Sequence, residues 1–197
     1  MQQPVINFAK NNTVEVARVL LGHYLCFESD EGFISGIIVE TEAYLSRDDP
    51  ACHAARGMTK RNAAMFGLPG FTYIYFIYGN YYCFNVVTGS EGTGEAVLIR
   101  AVEPVSGIEI MYKNRGGTCT KIDLASGPGK LCMAYGIDRS FNGHNLSEHP
   151  LYLLGPDKLK GFEVKSTRRV GISAGKEKLL RFIISGSDYL SRRESRE

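Results

Sequence analysis

The sequence contains no tryptophan, no closely spaced pair of cysteines and no apolar run of the about 20 residues that a membrane-spanning helix requires. Tyrosine and phenylalanine are therefore the large side chains that remain for core packing and ligand contacts. The five cysteines are odd in number and widely scattered, which is typical of buried thiols in a reducing compartment. Cys52 and His53 are adjacent, but no second ligand pair follows at zinc-site spacing, so we predict neither a metal nor another cofactor.

The N-terminal segment lacks the charged-then-apolar pattern of a signal peptide, and we expect a soluble cytoplasmic protein without membrane contact. The formal net charge of +2 neither indicates nor excludes a nucleic-acid partner, because such binding depends on local lysines and arginines rather than on the total charge. Each of the basic clusters, taken alone, is more typical of a solvated face. The clusters are Arg56, Lys60 and Arg61; Lys165, Arg168 and Arg169; and Lys176, Lys178 and Arg181.

Strand-like segments joined mostly as hairpins, with a few inserted helices, predict an α+β fold. We expect a single domain over residues 1–197, built on a mostly antiparallel β-sheet with surrounding helices and a protruding hairpin, with a charged tail that frays from about residue 191. The predicted helices are one opened by a capping box at Asn12–Glu15, a short one over 59–66, one from Pro104 to about Asn114, and one within 126–137. The predicted strands cover 23–28, 33–44, 95–102, 151–154, 167–173 and 180–186.

The segment FTYIYFIYGNYYCFN (71–85) contains five tyrosines and three phenylalanines around a Gly79-Asn80 pair. A glycine-asparagine pair between two alternating apolar runs predicts a two-residue type II′ hairpin turn, which brings a tyrosine, Tyr78, to the exposed tip. In that register Tyr75 pairs with Phe84, and Asn85 lies on the opposite face from Tyr75. If Tyr75 and Asn85 line one pocket, the hairpin must contain a bulge or a different turn.

The strand IIVETEAY contains two glutamates at alternate positions. Regular alternation places Ile38, Glu40 and Glu42 on one face of this strand. The two carboxylates fit either the exposed face of an edge strand or a general base held on a rigid element, and both interpretations stay open at this point.

Three further features are candidates for chemistry. Arg100 ends the apolar run AVLIR, where it pairs either with a structural carboxylate such as Glu103 or with a charged group of a site. His53 lies in a polar loop, where a lone histidine is more often exposed and idle. The segment SGPGK (126–130) is similar to an anion cradle at a helix start, with free backbone N–H groups and the ammonium of Lys130, although its spacing is not that of a nucleotide triphosphate loop.

Taken together, several motifs in family order resemble the alkyladenine (3-methyladenine) DNA glycosylase family in its compact bacterial form. The resemblance implies an enzyme of the bacterial cytosol that flips a damaged purine out of duplex DNA and hydrolyses its N-glycosidic bond. The implied substrates are 3-methyladenine, 7-methylguanine, hypoxanthine and ethenoadenine, and the implied enzyme is a monomer without strand-cleaving activity. The motifs are IVETEAY (38–44), AxHA (51–54), TKRNAAMF (59–66), YIYFIYGNYYCFNV (73–86), AVLIRAVEP (96–104) and SGPGKLC (126–132).

Residue by residue, the resemblance makes Glu42 the general base that activates water and Arg100 the residue that helps to hold that water and a nearby phosphate. It makes Tyr44 and Tyr75 stacking walls for the flipped purine. His53 then lies against that purine. The remaining implied pocket residues are Ala51, Tyr73 as the hydrogen-bond partner of the histidine, and Asn85 as the residue that crowds the exocyclic amine of guanine.

The resemblance also implies a DNA-contacting surface around the hairpin tip, where Tyr78 fills the gap left by the flipped base. Asn80 stands beside it, where the human family member carries a methionine. The implied backbone contacts are Arg56, Lys60, Arg61 and Lys130. Two other functions remain as alternatives: a nucleic-acid-binding module of the same fold without chemistry, and a nucleoside hydrolase that uses Glu40 and Glu42 as an acid/base pair.

Overall fold

The computed structural model describes residues 6, 8, 12–77, 79–156 and 161–193 of the chain. This part of the chain forms an α+β domain around an antiparallel sheet, as the sequence pattern predicts. The helices are α1 (Thr13–Val19), α2 (Ile108–Asn114) and α3 (Pro128–Tyr135), with two 3₁₀ helices at Ala63–Phe66 and Arg139–Phe141. The strands are β1 (Tyr24–Ser29), β2 (Gly32–Tyr44), β3 (Thr72–Ile77), β4 (Tyr81–Val87), β5 (Ala96–Ser106), β6 (Leu151–Leu154), β7 (Val164–Thr167) and β8 (Arg181–Ile184).

The long strand β2 is the centre of the sheet. The strand order is β3-β4-β5-β2-β1-β6, and β8 pairs with β2 beyond the end of β1 and carries β7 on its other side. Each described pairing is antiparallel. The C-terminal half of β2 therefore lies between β5 and β8, and its side chains have protein on both sides.

The main core lies where the helices cover one face of this sheet. It contains fully buried residues from β1, β2, β4 and β5, and from α1 and α3. Helix α1 begins as the capping box predicts: the Asn12 side chain accepts a hydrogen bond from the Glu15 N–H at 3.0 Å, and the Asn12 N–H donates to Glu15 Oε2 at 3.1 Å. These two bonds satisfy backbone donors that a helix start leaves without partners.

The hairpin of β3 and β4 differs from the predicted two-residue turn. Ile77 pairs with Tyr81, so three residues connect the strands, and Gly79 takes a left-handed φ of 72°. In this register Tyr73 pairs with Asn85 and Tyr75 with Cys83. The ladder is continuous, and the different turn alone brings Tyr75 and Asn85 onto the same face. Tyr78, the residue expected at the tip, lies outside the described residues.

Three other predicted elements have different bounds. Pro104 lies inside β5 rather than at the start of a helix, and α2 begins only after Gly107, whose φ of 71° ends the strand. The strand predicted over 167–173 ends at Thr167, since Gly171 has a φ of 76° and the chain leaves the sheet as a loop. The short helix predicted over 59–66 forms only as the 3₁₀ turn Ala63–Phe66.

Ser191, near which the sequence predicts that the charged tail begins to fray, contacts the sheet. Its backbone N–H donates to Glu40 Oε2 at 2.6 Å, and its hydroxyl donates to Glu40 Oε1 at 2.7 Å. Leu190 beside it is buried against Val39 and Ile183. The segment returns to the sheet because a buried carboxylate requires hydrogen-bond donors, which a count of surface charges along the tail does not reveal.

Candidate active site

Two irregularities in the pairing of β2 with β5 turn the glutamates away from the main core. The partner of Ile38 is Val102 and that of Glu40 is Ala101, so Val39 is an additional residue on β2. A bulge of this kind changes which face the following side chains occupy. Ile38 accordingly packs in the main core, whereas Val39 belongs to a separate apolar cluster. The expectation that Ile38, Glu40 and Glu42 share a face is therefore wrong.

Arg100 is the additional residue on β5 at the second irregularity, because Glu40 pairs with Ala101 and Thr41 pairs with Ile99. Its guanidinium lies between the two glutamates, with Nε 2.8 Å from Glu40 Oε1 and Nη1 3.3 Å from Glu42 Oε2. The carboxylate partners of Arg100 are thus the two glutamates of β2, and not Glu103 on its own strand.

Glu42 is completely buried, with 0% of its surface exposed, which excludes the face of an edge strand. Tyr44 donates its hydroxyl to Oε2 at 2.8 Å, and the backbone N–H of Val170 donates to Oε1 at 2.7 Å. Burial raises the pKa of Glu42 above its ordinary value, against the opposing effects of Arg100, the Val170 N–H and Tyr44, and the charge of Glu40 raises it further. This carboxyl group is therefore a stronger base than an exposed glutamate.

Glu40 is equally buried but has a different environment. Its Oε1 accepts hydrogen bonds from Arg100, from Arg181 Nε at 2.7 Å and from the Ser191 hydroxyl, and its Oε2 accepts the Ser191 N–H. Burial opposes ionisation, but Arg100 and Arg181 hold the pKa of Glu40 below its ordinary value. Glu40 is therefore an ionised anchor for two arginines.

An aromatic cavity of about 620 Å³ opens in front of these carboxylates. The rings of His53 and Tyr75 meet edge to face with centroids 4.5 Å apart, and the Tyr73 hydroxyl lies 2.9 Å from His53 Nδ1. Burial raises the pKa of Tyr73 to about 12, so its phenol stays neutral. Removal of water around the imidazole, and the nearby Arg61, lower the pKa of His53, which favours the neutral ring.

The cavity brings together the base-pocket residues that the resemblance implies: Tyr44, Ala51, His53, Tyr73, Tyr75 and Asn85. Asn85 donates its amide to the carbonyl oxygens of Tyr73 at 2.9 Å and Cys83 at 3.3 Å, which fixes the orientation of its side chain. Glu42 lies directly behind the wall, covered by Tyr44, Arg100 and Val170, which all line the cavity.

The sequence of this chain matches a family model described as methylpurine-DNA glycosylase over residues 7–188. The chain belongs to the methylpurine-DNA glycosylase family. It is 47% identical over 187 residues to a protein of Carboxydothermus hydrogenoformans, with 94% of this chain and 97% of that protein covered. It is 49% identical over 189 residues to a protein of Methanoculleus marisnigri, with the same coverage. Both relatives carry the name "Putative 3-methyladenine DNA glycosylase".

Membership makes this chain a DNA glycosylase, an enzyme of base-excision repair. Among the described residues, no helix is long and apolar enough to span a membrane. The same residues contain no cluster of three His, Cys, Asp or Glu side chains that could hold a metal ion.

The residues expected to contact DNA have different surroundings, and most of them are exposed. Lys130 lines the cavity at the start of α3, where its Nζ is 2.7 Å from Asp123 Oδ1. Arg61 donates to the carbonyl oxygen of Phe76 at 3.2 Å and so braces the hairpin. The other expected contacts, Arg56, Lys60 and Asn80, are exposed.

Sequence reasoning missed a buried part of this glycosylase site, the loop after β7. Arg169, which the sequence groups with surface charges, is buried in an ion pair with Asp49, and Val170 to Ser173 line the cavity. A signal for this loop exists in the sequence: Gly171 and Gly175 interrupt the strand-like pattern. Tyr81, Cys83 and Arg115 also line the cavity without having been singled out.

Proposed function

We propose that this glycosylase excises alkylated and deaminated purines from duplex DNA by hydrolysis, with water activated by Glu42. The carrying observation is a buried glutamate of raised pKa, directly behind an aromatic cavity and in contact with Arg100. The proposed lesions are 3-methyladenine, 7-methylguanine, hypoxanthine and ethenoadenine. We expect the enzyme to act as a monomer in the cytoplasm.

The cavity suits a flipped purine because its walls are aromatic. Flipping costs a few kcal/mol, and least for damaged or mispaired bases, so selection begins before the base enters the pocket. Stacking on aromatic side chains such as Tyr44 and Tyr75 returns about 1–3 kcal/mol per base. An alkylated, cationic purine gains a further attraction to the negative faces of these rings.

In the proposed reaction, the water oxygen attacks C1′ of the sugar, and the electron pair of the N-glycosidic bond leaves with the purine. Glu42 takes the proton of the water, and Arg100 holds the carboxylate in place. A cationic purine leaves as a neutral base without needing a proton. A neutral lesion such as hypoxanthine leaves as an anion, which takes up a proton from the solvent. Hydrolysis of this kind requires one carboxylate and positioned water, and Glu42 is the buried carboxyl group of the site whose pKa is raised.

The contrast between the glutamates argues against a nucleoside hydrolase with Glu40 as the general acid. Arg100 and Arg181 keep Glu40 ionised, and its oxygens accept four hydrogen bonds. A general acid must instead hold a proton near neutral pH. We also expect no strand cleavage, because the cavity-lining Lys130 pairs with Asp123 and lies at the start of α3 rather than behind the aromatic walls.

Single-turnover excision from duplexes that each contain one defined lesion tests this proposal. Glu42→Gln is expected to bind damaged duplex like the wild type and to lose excision, because the amide cannot take the proton. Arg168→Gln, a change at an exposed arginine, is the matched control and is expected to keep excision. Excision at the wild-type rate by Glu42→Gln would show that Glu42 is not the base, and turnover of free nucleosides would favour the hydrolase alternative.

A further inference from the structure

An ion pair that the proposed reaction does not use lies directly behind the cavity. Arg169 and Asp49 have fully buried side chains and meet through two parallel contacts, Nη1 to Oδ2 at 2.7 Å and Nη2 to Oδ1 at 2.5 Å. A two-pronged pair of this kind fixes the orientation of both groups. A buried ion pair is by itself weak evidence for added stability, so its position requires another explanation.

Asp49 holds the loop that connects β2 with the pocket. Its carboxylate accepts the N–H groups of Leu45 at 3.1 Å and Ala51 at 3.4 Å in addition to Arg169. The Asp49 carboxylate therefore joins the start of the loop, at Leu45 after the end of β2, to Ala51, which lines the cavity. The ion pair thus ties Arg169 to one wall of the pocket.

Arg169 reaches the end of β2 and the ring of Tyr44. Its Nη1 donates to the Ala43 carbonyl oxygen at 3.0 Å, and its guanidinium carbon lies 4.7 Å from the centre of the Tyr44 ring. Gly175 packs on the pair so closely that a Cβ there would lie 3.2 Å from Arg169 Nη2. The pair is consequently enclosed by the same loop to which Arg169 belongs.

The residue after Arg169 contacts the buried carboxylate itself. The Val170 N–H donates to Glu42 Oε1 at 2.7 Å, whereas Oε2 accepts from Tyr44 and Arg100. Because β7 ends at Thr167, no strand ladder among the described residues holds Val170 in place. The fixed point nearest to Val170 along the chain is the guanidinium of Arg169.

We propose that Asp49 and Arg169 are positioning residues that hold the Val170 N–H against Glu42 and the Tyr44 ring against the cavity. A carboxylate without water depends on such donors to stay ionised, and only the ionised form accepts a proton from water. This inference rests on the proposed function, since it assigns a role relative to Glu42 as the base.

The pKa of Glu42 depends on the charged and titratable groups around it, so a change in this pKa measures the positioning role. They are Arg100 on β5, Tyr44 and Glu40 on β2, Cys83 on β4, and Arg169. Burial raises the pKa of Glu42, whereas Arg100, the Val170 N–H and Tyr44 lower it. Loss of the Val170 contact is therefore expected to raise this pKa further, and a higher pH is then needed to ionise the base.

The test is the pH dependence of single-turnover excision from a hypoxanthine duplex by Arg169→Gln. A second variant, Asp49→Asn combined with Arg169→Gln, removes both charges and leaves no unpaired one. In both variants the acid limb of the profile is expected to move to higher pH. For each pH unit by which it moves, the excision rate at acidic pH is expected to fall tenfold. Excision on the alkaline plateau and affinity for an abasic duplex are expected to change less than threefold.

Arg168→Gln is the matched control, because this exposed neighbour is expected to leave the acid limb in place. An unmoved acid limb in the variants would overturn the inference, as would failure of both variants to fold, which would assign the pair to the fold alone. Glu42→Gln in the same assay separates the two proposals. If Glu42→Gln is inactive and the acid limb of Arg169→Gln is unmoved, only the positioning role is rejected. If Glu42→Gln is active, Glu42 is rejected as the base.

Discussion

The hydroxyl of Tyr44 lies 2.8 Å from Oε2 of Glu42, so a ring that lines the cavity also donates a hydrogen bond to the carboxylate behind it. The two residues are neighbours on one face of β2, two positions apart, and their contact joins the proposed purine pocket to the proposed base. Burial and the charge of Glu42 raise the pKa of Tyr44, so its phenol is always a donor at this contact.

Tyr44→Phe keeps the ring and removes this donor. Excision near neutral pH is expected to fall about tenfold or more, because a hydrogen bond to a charged group contributes about 1.5–3 kcal/mol. Affinity for an abasic duplex is expected to stay unchanged. The measurement is single-turnover excision across pH, in which the acid limb should move to higher pH. A variant with unchanged excision would show that the Tyr44 hydroxyl does not assist Glu42.

The two buried glutamates are expected to affect stability in opposite directions. The folded state lowers the pKa of Glu40. The stability that Glu40 contributes is therefore present above the pKa of this group in the unfolded chain, and it is lost as the pH falls through the pKa of Glu40 in the folded protein. Glu40→Gln is therefore expected to lower the free energy of unfolding at neutral pH by about 3–5 kcal/mol, since buried Arg181 loses its carboxylate partner and Arg100 keeps only Glu42. The loss should shrink at acidic pH.

The folded state raises the pKa of Glu42, so ionisation of this group costs stability as pH rises past its unfolded pKa. Glu42→Gln is accordingly expected to raise the free energy of unfolding at neutral pH by about 0.5–2 kcal/mol, a gain typical of strained functional sites. Urea unfolding at neutral and acidic pH measures both variants. Destabilisation by Glu42→Gln at neutral pH would contradict the prediction.

Tyr78, which follows the last residue of β3 in the sequence, is proposed to fill the gap left by the flipped base. Tyr78→Ala is expected to weaken binding to an abasic duplex about tenfold, because a wedge side chain offsets part of the cost of unstacking. Phe76→Ala is the matched control: Phe76 is on the same hairpin, is 46% exposed and faces away from the cavity-lining residues. Equal effects of both changes would argue against a wedge role for Tyr78.

The exposed basic residues Arg56 and Lys60 are expected to bind DNA phosphates. For Arg56→Gln or Lys60→Gln, the slope of log affinity against log salt concentration should decrease by about 0.9, the value for one phosphate contact. Lys113→Gln is the control, since Lys113 pairs with Glu31 at 2.8 Å, at the turn between β1 and β2. The measurement is duplex binding over a range of salt concentrations. An unchanged slope would show that these residues do not contact phosphates and are only part of the solvated surface.

Features that depend on neighbouring residues could be read from the sequence. The capping box of α1 and the β1–β2 hairpin involve groups a few positions apart, whose pattern alone predicts their partners. The motifs around Glu42, His53 and Arg100 likewise identified a set of residues that the fold does bring to one cavity or directly behind it.

Features that depend on distant partners could not be read in this way. The additional residues Val39 and Arg100 arise because β2 and β5 pair out of step, which neither strand specifies alone. These two irregularities have a large effect. They separate Glu40 and Glu42 from the main core, and they place the Arg100 side chain between the two glutamates. The three-residue turn after Ile77 similarly reverses which face Asn85 occupies.

The sequence by itself thus determined the residue types of the site, the antiparallel α+β architecture and the family to which the resemblance pointed. Only the tertiary structure decided that Glu40 is an ionised anchor and Glu42 the carboxyl of raised pKa, although both stand on the same strand. The difference comes from Arg181 and Ser191, which donate hydrogen bonds to Glu40 and lie more than a hundred positions away in the chain. In a buried site the protonation of a carboxyl group is set by the donors that replace water, and those donors are assembled by folding.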